Sequence, residues 1–109
     1  MPAWSLYLVR CADGTLYTGV TTDVERRFEQ HERGEGRGAK YLRGRAPLDL
    51  VLEHEVGEQG DALRLEARIK KLSRPRKETL IRNSDALDEM LAHADRQPRA
   101  RPTPRSRRS

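Results

Sequence analysis

The sequence predicts an α+β fold, a small, mainly antiparallel three-stranded sheet flanked by helices. Three patterns carry this expectation. Residues 4–10 and 15–20 alternate apolar and polar positions on either side of Asp13-Gly14, the signature of a β-hairpin. A third alternation follows at 48–53, and apolar residues recur at helical spacing within 23–33 and 61–72. With 109 residues, 35% hydrophobic and 36% charged, the chain has room for one domain, and its apolar positions must gather on few faces.

In the hairpin, Trp4, Leu6 and Leu8 share one face, and Ser5, Tyr7 and Val9 the other. A three-residue loop, Ala12-Asp13-Gly14, with Gly14 in the left-handed position of a bulged turn, sets Val9 opposite Tyr17. Tyr7, Tyr17 and Gly19 then share a face, while Leu6, Leu8, Leu16 and Val20 meet the core. A two-residue Asp-Gly turn slips the register by one and separates the tyrosines, so both arrangements stay open. Thr22 or Asp23 caps a first helix that runs to about Arg33 and stops at Gly34. Its stripe holds Val24 and Phe28 together with Arg27 and His31.

Residues 34–47, with four glycines and a proline, read as a loop or irregular segment. In the third strand Leu48, Leu50 and Leu52 alternate with Asp49, Val51 and Glu53, which puts the three leucines on one buried face. Asp61 caps a second helix reaching about Leu72, with Ala62, Leu65, Ile69 and Leu72 on one face that also receives Glu66. Ser73 caps a third helix with Pro75 in its first turn, ending near Arg82. Leu87, Met90 and Leu91 suit a last short helix within 85–94.

The net charge of +5 is unevenly placed. Residues 96–109 contain six arginines and no acid, so the rest of the chain sums to −1. This tail holds three prolines and no large apolar residue, and disorder is expected of it. It is either a solubilising end or a sequence-blind attractor for nucleic acid. Inside the body, residues 33–45 carry five basic residues and one acid, and 64–82 eight basic and two acidic. Acids collect at 53–61 and 85–95. Such segregation either presents a basic face to a polyanion or forms a solvated mixture of charges.

The longest apolar run, Leu6-Tyr7-Leu8-Val9, is too short to span a bilayer, and residues 1–4 hold no basic residue to begin a secretory signal. One cysteine, Cys11, and histidines scattered at 31, 54 and 93 exclude an internal disulfide and a zinc site. The expectation is a cytoplasmic protein with no membrane partner, in which Cys11 is a small buried hydrophobe.

Two charged residues fall where helical stripes ask for apolar ones, Arg27 on the first helix and Glu66 on the second. Three arrangements would accommodate them: the arginine snorkels to water, the two pair with each other, or both line a cleft. The cleft gains from two tyrosines that face the same place in one hairpin register. Phenol, guanidinium and carboxylate together suit phosphoryl transfer, as a base for water, a fork for developing phosphate charge and a ligand for a hard cation.

Ser5-Leu6-Tyr7 and Tyr17-Thr18-Gly19, about ten residues apart, resemble the paired signatures of the GIY-YIG nuclease family. Arg27, eight positions beyond Gly19, is similar to that family's helix arginine, and Glu66 to its metal-binding glutamate. The likeness is sharper to the small bacterial single-domain members, the YhbQ-like group. It runs through residues 16–27, Gly38-Ala39-Lys40-Tyr41-Leu42-Arg43-Gly44, residues 62–66 and residues 69–72, within a span of about 4–81. The resemblance implies a nuclease-like domain over 1–83; the helical extension at 84–95 and the disordered basic tail at 96–109 lie outside it.

It also implies roles. Tyr17 would deprotonate the attacking water, with help from a metal ion or cation because a free phenol titrates near pH 10. Arg27 would brace the pentacoordinate transition state, and Glu66 would hold one Mg²⁺ or Mn²⁺ with waters and a phosphate oxygen. Tyr7 would position the water or phosphate, His31 would share a proton or grip the phosphate, and Gly19 would let a nucleic-acid backbone come close. Lys40, Arg43, Arg45, Lys70 and Lys71 are phosphate contacts if DNA binds and solvated charges otherwise. The implied activity is that of a metal-dependent endonuclease or nickase on DNA, selective for branched or single-stranded structure and serving repair or recombination, with RNA as a further polymer to test. The alternative is a non-catalytic nucleic-acid-binding accessory protein that keeps the scaffold. The chain departs from the pattern in its first motif, in Val20 where excision-repair relatives have lysine, and in offering only Asn83 for a late asparagine.

Overall fold

The computed structural model describes residues 2–36, 38–87 and 89. Strands β1 (Trp4–Arg10), β2 (Leu16–Thr21) and β3 (Asp49–Gly57) form one antiparallel sheet in the order β2-β1-β3. Helix α1 (Val24–Glu32) follows the hairpin, and α3 (Gln59–Lys70) and α4 (Arg74–Arg82) follow β3. Between α1 and β3 lies a four-residue helix, α2 (Ala39–Leu42). This corrects the expectation of a loop there: Leu42 is buried, and its burial organises a segment whose glycines mask any helical pattern.

The hairpin adopts the three-residue loop. Cys11 N–H donates to the Thr15 carbonyl at 2.9 Å, Gly14 takes φ +87°, and Val9 pairs with Tyr17. Asp13 fixes the turn by accepting from the Thr15 amide and hydroxyl at 3.1 and 2.7 Å. Cys11 is buried, as expected. In α1 Asp23 is the cap, accepting from the Arg26 amide at 3.1 Å, and the helix gives way at Gly34, φ +73°.

β1 is the central strand and is covered on both faces, so Leu6, Tyr7, Leu8 and Val9 are all fully buried. On one face Leu6, Leu8, Val20 and Leu52 pack with Ala62, Leu65 and Ile69 of α3, Leu80 of α4 and Leu87. On the other, Tyr7 and Val9 meet Val24 of α1, with Tyr17, Phe28, Leu48 and Leu50 around them. The strand β3 does not keep its leucines together. Leu52 pairs with Leu8, but Leu50 pairs with Val9, so an extra residue at Val51 bulges the strand and reverses its faces. Leu48 and Leu50 therefore serve the α1 face and Leu52 the α3 face, contrary to the simple alternation.

Helix α3 starts before Asp61, which lies in its first turn and pairs with Arg64 rather than capping. An acid in that turn still complements the helix dipole. Ser73 precedes α4 without a side-chain capping bond, and proline occupies the first turn. A clamp with no counterpart in the sequence reading joins α4 to β1. The Arg10 guanidinium donates to both Glu78 oxygens at 2.6 and 2.9 Å, and Arg74 Nε adds a third bond at 2.9 Å. These bonds hold the Glu78 carboxyl down at a pKa of about 2. Residues 85–87 are helical, with Leu87 fully buried. Met90, Leu91 and the 96–109 tail lie outside the described residues. No helix among the described residues is long and apolar enough to cross a membrane.

Candidate active site

The site grows from a cross-strand pair, Tyr7 on β1 opposite Gly19 on β2. A Cβ at residue 19 would stand 2.5 Å from the Tyr7 hydroxyl and 2.6 Å from its ring, so the glycine is the space in which the phenol lies. Gly19 is itself buried. This corrects the expectation that it admits a nucleic-acid backbone: the group that approaches closely is the protein's own tyrosine.

Tyr7 is 0% exposed, and its hydroxyl lies 2.8 Å from His31 Nε2. Burial pushes the phenol far above its usual pKa, and Tyr17 and Glu66 add to that; the Arg27 guanidinium pulls the other way. Tyr7 therefore keeps its proton. Keeping its proton, the Tyr7 hydroxyl donates to His31 Nε2, an assignment that leaves the imidazole proton on Nδ1. Nδ1 is buried and has no partner among the described residues. His31 is 3% exposed, and burial followed by the Arg27 charge lowers its pKa, so the ring is neutral near pH 7. The Tyr7 hydroxyl thus meets His31 rather than water, and its effect on substrate passes through the imidazole.

Tyr17 is half-buried and joins the cluster from β2. Its ring is 6.4 Å from Tyr7, 5.3 Å edge-on to His31 and 5.4 Å from Tyr41. The Gly38 backbone, at φ +88°, stands against the Tyr17 hydroxyl and His31 Cε1, where no side chain would fit. Arg27 is half-buried and lines a cleft of about 260 Å³ with Thr21, Thr22, Asp23, Arg26 and Gln30. Its charge reaches the Tyr7 phenol, and no Arg27–Glu66 ion pair forms among the described residues.

Glu66 projects from the edge of the buried α3 stripe with 18% of its side chain exposed, and its closest cation is Lys70 Nζ at 3.4 Å. It is near enough to act on the Tyr7 phenol. No group of three or more His, Cys, Asp or Glu side chains that could hold a metal ion occurs among the described residues. A part-exposed carboxylate within electrostatic reach of the Tyr7 phenol nonetheless fits a hard cation that draws its remaining ligands from water and phosphate.

The cationic residues separate into two groups. Lys40, Arg43 and Lys71 are exposed and unpaired among the described residues. Lys70 lies against Glu66, and Arg45 is bound to Asp13 at 2.5 Å, to the Tyr41 carbonyl at 2.7 Å and over the Tyr41 ring at 4.7 Å. Sequence reasoning quoted Gly38 and Tyr41 but gave them no role. Four glycines in eleven residues were the available signal; which of them touches a tyrosine depends on the fold of α2.

A family model for the GIY-YIG catalytic domain matches residues 3–79, which include Tyr7, Tyr17, Arg27, His31 and Glu66. The chain belongs to the GIY-YIG family. A UPF0213 protein of Klebsiella pneumoniae is 55% identical over 89 residues, covering 82% of each chain. The UPF0213 protein YhbQ of Escherichia coli is 49% identical over 92 residues, 84% of this chain and 90% of that one. The solution NMR structure of the protein EF2693 from E. faecalis is similar at a TM-score of 0.56 and 30% identity, covering 79% of this chain and 90% of that one. Membership in the GIY-YIG family places the protein in a nuclease superfamily.

Proposed function

We propose that the protein is a metal-dependent endonuclease or nickase that hydrolyses DNA phosphodiester bonds, acting on branched or single-stranded structure in repair or recombination. The observation that supports this reading is the buried Tyr7–His31 pair, with the Tyr17 ring packed on it and the Arg27 and Glu66 charges within electrostatic reach of the Tyr7 phenol. Between the two tyrosines the base is Tyr17. Tyr7 is sealed and held protonated, whereas Tyr17 is half-buried beside it. Arg27, half-buried in its cleft, presents its fork to the phosphate as negative charge develops. The neutral His31 orients Tyr7 and packs edge-on against Tyr17. Glu66 would hold one Mg²⁺ or Mn²⁺ ion, whose positive charge would stabilise the phosphate oxygens and favour ionisation of water. Lys40, Arg43 and Lys71 would meet phosphates along the strand.

The test is cleavage of nicked, branched, single-stranded and supercoiled DNA by purified protein in Mg²⁺. Wild type cuts at least one of them and Glu66→Ala cuts none; a wild type that leaves every substrate whole defeats the reading.

One observation favours a second reading, a nucleic-acid-binding accessory protein without turnover. Lys70 lies against Glu66 and opposes the charge a cation would need. That reading predicts binding to DNA or RNA that weakens steeply with salt, unaccompanied by cleavage.

A further inference from the structure

Arg45 sits in the basic stretch, yet its guanidinium faces the protein. Nη1 meets Asp13 Oδ2 at 2.5 Å and Thr15 Oγ1 at 3.4 Å, and Nε donates to the Tyr41 carbonyl at 2.7 Å. Its Cζ lies 4.7 Å over the Tyr41 ring, and its own carbonyl accepts from the Ala12 amide at 2.8 Å. Arg45 therefore ties the segment 38–45 to the hairpin tip. The same segment covers Tyr17 twice, through the Gly38 backbone on its hydroxyl and the Tyr41 ring at 5.4 Å.

We propose that Asp13 and Arg45 form a latch that holds the 38–45 segment over Tyr17, making Asp13, Arg45 and Tyr41 positioning residues for the phenol. The catalytic half of this proposal rests on the hydrolytic reading above. Tyr41 is 41% exposed, so burial alone does not fix its ring; the guanidinium above it and the tyrosine beside it do. Glycines stand at or near both ends of the segment. Gly38 and Gly44 lie in the left-handed region at φ +88° and +74°, and the space around Gly44 is open. Leu42 anchors its middle in the core. An ion pair with 34% and 47% of its side chains exposed adds little to stability, so its consequence is orientation. Misplacing a reacting group by about 1 Å costs on the order of 100-fold in rate.

The test has two arms on the full chain. In the first, NMR with labelled aromatic rings follows the Tyr17–Tyr41 contact in wild type, Asp13→Ala, Arg45→Ala and Tyr41→Phe. The ring–ring Overhauser effect is expected in wild type and in Tyr41→Phe, and its loss is expected in the two alanine variants with Tyr7 resonances unmoved. Persistence in both alanine variants overturns the latch. In the second arm, single-turnover cleavage in Asp13→Ala and Arg45→Ala falls by about 10- to 100-fold while oligonucleotide Kd and its salt dependence stay constant. If Arg45→Ala instead weakens binding and lowers the salt slope by about one, Arg45 is a phosphate contact and the positioning role is wrong. A wild type that cuts nothing sinks the catalytic half alone, since the ring contact still decides the latch.

Discussion

Beneath α3 the sheet is sealed with aliphatic side chains, whereas beneath α1 valines and leucines share the face with Tyr7, Tyr17, Phe28 and the His31 imidazole. The two layers share the strand β1, whose residues point alternately into each. The aliphatic layer gains from area removed from water, about 25 cal/mol per Å² of apolar surface, and asks little of orientation. The aromatic layer must satisfy polar atoms away from solvent, so its hydrogen bonds fix geometry as well as energy. A fold this small can host a reactive cluster because one face supplies the stability that the other forgoes.

The sharpest break of this contrast is Leu65→Ala. Leu65 is 1% exposed in the aliphatic layer, and its truncation is expected to cost about 2 to 5 kcal/mol, measured by urea unfolding, with the Tyr7–His31 bond intact in the folded fraction. Next comes Gly19→Ala. Its Cβ has nowhere to go unless the buried Tyr7 ring moves, and a loss of about 1 to 3 kcal/mol is expected together with displaced Tyr7 resonances. An unshifted Tyr7 ring in that variant would contradict the cross-strand packing.

These two sites differ in how far the sequence disclosed them. Leu65 is legible from a helical stripe, and Tyr7 and Tyr17 from the hairpin alternation once the three-residue turn is chosen. Gly19 was visible as part of a motif, but what it makes room for depends on the cross-strand register. The leucines of β3 were misassigned because a bulge at Val51 reverses the faces without altering the alternation in the sequence. Arg45 looks like any loop cation until the hairpin tip is folded back onto it, and Glu78 gains its meaning from Arg10, 68 residues away. Long-range pairing of charges is carried by topology, which local periodicity does not encode.

Smaller effects sharpen the aromatic side of the comparison. Tyr7→Phe removes one hydrogen bond and leaves His31 with both ring nitrogens unpaired in a buried place, for an expected loss of about 1 to 2 kcal/mol by thermal unfolding. The pH dependence follows from His31, whose folded-state pKa lies below the usual 6.5 because of burial and the Arg27 charge. The unfolded chain takes up that proton more readily, so this contribution is fully present above pH 6.5 and is lost as pH falls through the folded value. Urea midpoints measured from pH 7.5 down to 5 should decline in wild type, and less so in His31→Gln. An equal decline in both would assign the effect to other groups.

The convergence of a phenol from the hairpin with a carboxylate from α3 is most directly tested by single-turnover cleavage rates in Mg²⁺ for Tyr17→Phe, Glu66→Gln and the double variant. Groups acting on one reacting centre should each slow cleavage by about 100-fold or more, with the double variant no slower than the worse single one. Losses that multiply, or single variants as fast as wild type, would contradict a shared site.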